Sequence, residues 1–296
     1  MNSSFTAVRF MPSLMVTICT ATVGFLLQSS PVQAATDTKR TQPYGKFDGD
    51  VEGDYSTGKY GAQKSTDTET ITPSLYWSIF DSTTLSLSIP FVNQNAPRGT
   101  IGSGGHGNGA NAHRGSKRGQ NNQSVTTNGI GDVVLGIDQD VLEQSDHYFV
   151  DVGAFANAKF GTADVSKGLG SGKNDFSFGG RIGHSWSEYA LTGELGYVLV
   201  GNPGQVTANG VTTVLDYHNA FYADLHGTRK INDRTTVGVG FSNNESYERG
   251  QVAARVVSAD VSYGLTSTVK LKGKVLAGLN DNSPDFGLRL TVAFPL

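Results

Sequence analysis

Residues 285–296 read DFGLRLTVAFPL, and this stretch decides the fold class. Apolar side chains occupy every second position from Phe286 to Leu296, and the positions between them include Arg289. A period of two predicts a β-strand, and a charged residue on the second face is typical of a strand with lipid on one side and water on the other. Because the same alternation recurs along the chain, we predict an all-β fold, a transmembrane antiparallel β-barrel.

Twelve segments alternate in this way, and an even number of strands suits an outer-membrane barrel. They cover residues 46–56, 69–80, 83–93, 129–142, 148–161, 175–187, 189–201, 217–231, 235–247, 251–265, 268–279 and 285–294. Most reach the roughly 9–11 residues that a tilted strand needs to cross a bilayer. Most of the connections alternate between short turns and long loops, which predicts turns on the periplasmic side and loops on the outer side.

The first 34 residues predict a secretory signal peptide. Arg9 supplies a positive charge, residues 14–27 are mostly apolar, and small residues precede a predicted cleavage after Ala34. We expect a leader over residues 35–45 and the barrel over 46–296. Cys19, the only cysteine, lies in the signal. The formal net charge of −3 argues against a nucleic-acid partner.

A long loop over residues 96–128 is rich in Gly, Asn and Ser and has no acidic residue. It is either a flexible surface loop or a basic flap, carrying Arg98, Arg114, Lys117 and Arg118, that attracts anions or the phosphates of lipopolysaccharide. Its two histidines, His106 and His113, make a poor ligand set without carboxylates or Cys. We therefore expect no metal and no cofactor.

Several segments carry a family resemblance. Residues 159–164 read KFGTAD, residues 167–172 read KGLGSG, and Asp175 and Phe176 follow. Together with GIGDV at 129–133, they resemble the outer-membrane family named after the meta-pathway of phenol degradation. The resemblance spans about residues 44–296, with Gly161, Ser171 and Phe176 as departures from the family pattern. It implies a barrel in the outer membrane of a diderm bacterium that passes small hydrophobic or aromatic compounds.

If the apolar residues face lipid, the alternate residues face the lumen. The predicted lumen-lining residues are Asp48, Asp50, Glu52, Asp54, Asp132, Asp138, Lys159, Arg181, Glu194, Asp224, Lys270, Lys272, Lys274 and Arg289. Two interpretations stay open. The charges either border an aqueous path and set its ion preference, or pair into a salt-bridge network that plugs a narrow barrel.

The KGLGSG stretch lacks the GK[ST] ending of a phosphate-binding loop, and no helix is predicted after it. We predict instead an outer turn, or a turn that enters the lumen as a constriction, formed by Lys167, Gly168, Leu169, Gly170 and Gly172. Trp77 and Trp186 lie on the outward face beside short turns and indicate an interfacial aromatic girdle.

No motif indicates catalysis. The six histidines accompany no nucleophile motif, and only His226 and Asp224 share the lumenal face of one strand. We therefore expect no catalytic residues. The favoured hypothesis is passive uptake of small hydrophobic or aromatic solutes. The alternative is a plugged barrel whose outer loops recognise a partner or lipid. The expected partners are outer-membrane lipid, lipopolysaccharide and small solutes.

Overall fold

The computed structural model describes residues 45–60, 62, 64–102, 123–145 and 148–296. The predicted signal peptide, the predicted leader up to residue 44 and the central part of the long loop, with His106 and His113, lie outside the described residues.

Strands dominate the described residues, which also contain a 3-10 helix, Val165–Lys167. The strands are β1 (Phe47–Gly58), β2 (Thr66–Phe80), β3 (Thr83–Ser88), β4 (Phe91–Pro97), β5 (Ser124–Ile130), β6 (Val133–Leu142), β7 (Asp151–Phe160), β8 (Asp175–Trp186), β9 (Tyr189–Leu199), β10 (Gln205–Ala208), β11 (Val211–Val214), β12 (Ala220–Asn232), β13 (Thr235–Asn244), β14 (Ala254–Gly264), β15 (Lys270–Gly278) and β16 (Phe286–Pro295). No helix in this part of the chain is long and apolar enough to cross a membrane.

The strands form a closed antiparallel barrel. β1 pairs with β2 on one side and with β16 on the other, and this double pairing closes the sheet. β3 and β4 are the two halves of one wall strand, as are β5 and β6, while β10 and β11 form a separate hairpin. Counted in this way, the described residues build twelve wall strands, so the prediction of a twelve-stranded barrel is confirmed.

The break between β3 and β4 lies beside the break between β5 and β6. Ser88 pairs with Val134 and Phe91 pairs with Ile130, so two residues on one strand oppose three on the other. This extra residue is a β-bulge, which bends the strand and releases a residue from the ladder. The released segment contains Asp132, whose side chain is fully buried. β4 and β5 also extend into the range that the sequence predicted as loop.

Burial along the wall is the reverse of that in a soluble protein. Leu195, Val239 and Leu290 are more than half exposed, whereas the charged side chains of Arg181, Asp260 and Arg289 are buried. Lipid contact explains the exposed apolar face. The two tryptophans are also exposed, and Trp77 stacks on Phe47 with 5.7 Å between ring centroids.

The two ends of the barrel differ. The connections at 81–82, 143–150, 187–188, 233–234 and 265–269 define the short-turn end. Those at 59–65, 98–123, 161–174, 200–219, 245–253 and 279–285 define the long-loop end. By the general layout of such barrels, the long-loop end faces the outside of the cell.

Candidate functional site: the lumen and its lid

Near the long-loop end, Lys159 on β7 lies between two buried carboxylates. Its Nζ is 3.0 Å from Asp132 and 2.7 Å from Asp175. The second oxygen of Asp132 accepts a hydrogen bond from the Ala163 backbone N–H, and that of Asp175 accepts one from Gly201. These bonds compensate the carboxylates for lost hydration. The cluster therefore fastens the loops that contain Ala163 and Gly201 to the inner wall.

Further down the same wall, Arg181 on β8 binds two carboxylates on β6. Its Nη2 donates to Asp138 and to Asp140, at 2.6 Å each, and its Nη1 also contacts Asp138. The guanidinium reaches across β7, where the inward position is Gly153. A Cβ at that position would lie 2.6 Å from Cζ of Arg181. The glycine is thus what allows this ion pair to span two strands.

A third cluster lies at the seam where the barrel closes. Arg289 on β16 is 3.2 Å from Glu52 and 3.0 Å from Asp54, both on the neighbouring strand β1. Asp54 and Arg289 are also direct partners in the strand register. All three side chains are largely buried. The first and last strands of the barrel are therefore joined by side-chain ion pairs as well as by the backbone ladder.

The fourth cluster joins β12 to β14. His226 shares the inward face of β12 with Asp224, and its Nε2 lies 2.7 Å from Asp260 on β14. Lys272 Nζ is 3.4 Å from the other oxygen of Asp260. The contact crosses β13 at Gly238, where a Cβ would lie 2.7 Å from His226 Nε2. A glycine again makes room for a contact between second-neighbour strands.

The remaining predicted lumenal residues also lie on the inward face of their strands. Glu194 pairs in register with Arg181 on one side and with Asp224 on the other, and Lys274 pairs with Asp260 and Arg289. Asp48 and Asp50 continue the acidic row of β1, and Lys270 continues the basic row of β15. Most inward side chains are buried or half-buried. That the fourteen charged residues line a conducting path stays a prediction.

The KGLGSG segment turns inward at the long-loop end. Leu169 is buried with Val92 and Ala163, and it packs where Gly129 leaves space on β5. Gly168 and Gly172 have φ values of +74° and +70°, which favour glycine, and a Cβ on Gly170 would lie 3.1 Å from Asp132. Lys167 is exposed, and its Nζ donates to the Asn128 carbonyl at 2.9 Å. A constriction role for this turn stays a prediction.

Asp164 is the N-cap of the 3-10 helix, and its carboxylate accepts hydrogen bonds from the Ser166 hydroxyl and from the backbone N–H groups of Ser166 and Lys167. These hydrogen bonds lower the pKa of Asp164, and the bond from the Ser166 hydroxyl has the largest effect. They favour the charged carboxylate and so hold the start of the inward turn in one conformation.

The β10–β11 hairpin completes a cover over this end of the barrel. Its buried residues Val206 and Ala208 pack with Ile101, Leu215 and Tyr217, and burial raises the pKa of Tyr217. We call the three interlocked segments 98–102, 161–174 and 200–219 the lid. An apolar core inside a set of loops gives the lid a defined closed form.

Polar bonds also join the parts of the lid. Arg98 Nη2 donates to the Asn209 carbonyl at 2.9 Å, and the Asn209 N–H donates to the Ser166 carbonyl at 2.8 Å. Thr213 Oγ1 donates to the Gly99 carbonyl at 3.2 Å. Arg98 and Asn209 thus connect the segment after β4 to the hairpin, and the hairpin to the inward turn.

The sequence of this chain matches a known protein family. A sequence profile of the family described as "Putative MetA-pathway of phenol degradation" matches residues 36–295. The chain belongs to this family. The expectation from the KGLGSG and GIGDV segments is therefore confirmed. In this phenol-degradation family member, KGLGSG forms the inward turn of the lid, and the Asp of GIGDV is the buried carboxylate of the β-bulge.

A solved structure shows the same architecture. The COG4313 outer membrane channel from Pseudomonas putida F1 aligns with a TM-score of 0.62 and 14% identity, over 86% of this chain and 96% of that one. The toluene transporter TbuX of Ralstonia pickettii aligns with a TM-score of 0.46 and 10% identity, over 91% and 98% of the two chains. Curated protein sequences give no significant match. The fold of the chain is that of an outer-membrane β-barrel.

Sequence reasoning missed the β10–β11 hairpin of this family member. The sequence does contain a signal for this hairpin, because the dipeptide Asn209-Gly210 favours a tight hairpin turn. In the structure both residues have the positive φ that such a turn requires. The flanking strands have only four residues each, which hid them inside a predicted loop.

Proposed function

We propose that this barrel is an outer-membrane channel for the passive diffusion of small hydrophobic or aromatic solutes. The observation that carries the proposal is the pair of buried apolar clusters at the long-loop end. One lies within the lid, around Ile101 and Leu215, and the other joins Leu169 to Val92 on the wall. An apolar solute that enters between these side chains leaves water for an apolar surrounding, which is favourable.

The ion pairs below the lid also support a narrow path rather than a wide aqueous pore. Lys159, Arg181 and Arg289 each bind two carboxylates at close range, and all three side chains are buried. Paired charges of this kind connect neighbouring strands on the lumenal face, and removal of one partner leaves the other buried without compensation. This favours the second interpretation of the lumenal charges, in which they contribute to stability first. We propose that a solute passes when the lid segments separate.

We propose no catalytic role for the chain. Among the described residues, His226, Asp260 and Ser258 are the nearest to a catalytic triad. Asp260 contacts Nε2 of the imidazole, and a Cβ on Gly240 would have both Ser258 Oγ and His226 Cδ2 as neighbours, which places the serine on the carbon side of the ring. A serine nucleophile needs a ring nitrogen as its base, with the carboxylate on the other nitrogen.

The test measures uptake of a labelled neutral aromatic, ethylbenzene, by cells whose outer membrane otherwise excludes it. Expression of the chain is expected to raise the initial uptake rate. Leu215→Asn, which puts a polar group into the apolar core that holds the lid segments together, is expected to raise that rate. Val252→Asn is the matched control, because Val252 is exposed in a loop. Equal uptake with and without the folded barrel would overturn the proposal and favour a plugged barrel that binds a partner through its loops.

A further inference from the structure

We infer that the lumen discriminates by charge, so that it admits neutral and cationic solutes and rejects anionic ones. The inference rests on the proposed function and narrows its solute class to aromatic compounds without a carboxylate or other anionic group. It comes from the composition of the ion-pair clusters and from which of their members solvent reaches.

Three of the four ion-pair clusters contain more acid than base. Lys159 binds Asp132 and Asp175, Arg181 binds Asp138 and Asp140, and Arg289 binds Glu52 and Asp54. Each basic side chain neutralises one carboxylate, and the second leaves a net negative charge at that place. In the fourth cluster, Asp260 is shared by Lys272 and His226.

The other inward charges of the described wall do not reverse this surplus. Acidic residues outnumber basic ones among them: Asp48, Asp50, Asp151, Glu194 and Asp224 against Lys230, Lys270 and Lys274. The basic row of β15 also lies between Asp260 on β14 and the Arg289 cluster. The wall from β6 to β12 therefore carries the acidic surplus. Its inward basic residues are Lys159, Arg181 and Lys230, against Asp138, Asp140, Asp151, Asp175, Glu194 and Asp224.

Solvent exposure shows where this charge acts on a solute. The side chain of Asp132, beneath the lid, has 0% of its surface exposed, whereas that of Asp138 has 19% and that of Asp140 has 43%. Solvent therefore reaches the carboxylates further down the lumen, whereas the carboxylate directly beneath the lid is covered. In a lumen with low-dielectric walls, such a surplus attracts cations, repels anions and changes their entry rates by a factor of 10 or more.

The first test is the reversal potential of the refolded mature chain in a planar bilayer under a potassium chloride gradient. We expect a cation preference. Asp138→Asn, which leaves Asp140 to bind Arg181, and Asp224→Asn are each expected to reduce it, and Lys274→Gln is expected to increase it. Glu69→Gln is the matched control, because Glu69 is exposed on the outer face of β2. An anion preference, or a potential that none of the inward variants shifts, would overturn the inference.

The second test compares two solutes with the same ring in proteoliposomes. Phenylethylammonium is expected to enter about tenfold faster than phenylacetate, a ratio at the low end of steering effects. Asp138→Asn should lower that ratio, and Glu69→Gln should not. Equal rates, or entry of neither ion together with an absence of current, would overturn charge discrimination. Ethylbenzene uptake by cells would still decide the proposed function separately, because that solute carries no charge.

Discussion

At the scale of single residues, the inward glycines decide which side chains meet in the lumen. Gly153 leaves the space through which Arg181 reaches β6. We predict that Gly153→Ala lowers the free energy of unfolding by about 1–3 kcal/mol, because the added methyl group displaces the guanidinium from its carboxylates. Urea unfolding of the barrel in lipid vesicles measures this change.

Gly193→Ala is the control for that measurement. A Cβ at Gly193 would have Ile182 as its nearest neighbour, at 3.8 Å, so the methyl group fits without displacement. Equal stability of the two variants would show that Arg181 does not depend on the space at Gly153.

Lys159 offers a second test at this scale, because its removal leaves Asp132 and Asp175 buried without a cation. We predict that Lys159→Met lowers the free energy of unfolding by about 3–5 kcal/mol, the usual cost of breaking a buried ion pair from one side. Adding Asp132→Asn and Asp175→Asn should recover most of the loss in the same unfolding assay. If the triple variant is as unstable as Lys159→Met alone, the loss of stability comes from altered packing and not from the unpaired carboxylates.

At the scale of strands and loops, alternation was a sufficient guide to the wall. Lipid contact requires an apolar residue at every second position, so segments such as 285–296 show their strand character directly. The breaks at Pro90 and at residues 131–132 were not predicted, because alternation continues within each half of the strand. The signal of the second break is the phase shift from outward Ile130 to outward Leu135. The partner of His226 depends on the same cross-strand geometry, since Asp260 lies two strands away.

The lid is the element most accessible to a direct test. Arg98 joins the segment after β4 to the hairpin through the Asn209 carbonyl. We predict that Arg98→Ala loosens the hairpin and raises the fraction of time for which single barrels conduct in a planar bilayer. Arg234→Ala is the matched control, because Arg234 is exposed in the turn between β12 and β13, at the opposite end of the barrel from the lid. An unchanged open fraction in Arg98→Ala would mean that other contacts hold the lid closed.

At the scale of the whole molecule, the solvent exposure of the carboxylates on β6 to β8 increases from the long-loop end of the lumen to the short-turn end. Carboxylates near the lid are covered, and Asp140 near the short-turn end is 43% exposed. The apolar clusters lie at the covered end. A solute from outside therefore meets apolar side chains before it meets the acidic residues, and this order suits compounds with an apolar ring better than hydrophilic ones.

This gradient predicts a difference in thiol reactivity between the two ends. The only native cysteine, Cys19, lies in the predicted signal peptide. Once that peptide is removed, a single introduced cysteine is the only thiol that can be labelled. We predict that Asp140→Cys reacts rapidly with a charged maleimide once the periplasmic side is accessible, because Asp140 is exposed below the lid. Ala163→Cys, buried beside Leu169, should react slowly in intact cells and after the cells are opened. If Arg98→Ala is added, Ala163→Cys should become reactive from outside as the lid separates. Rapid labelling of Ala163→Cys without that change would show that the lid does not close the outer end of the lumen.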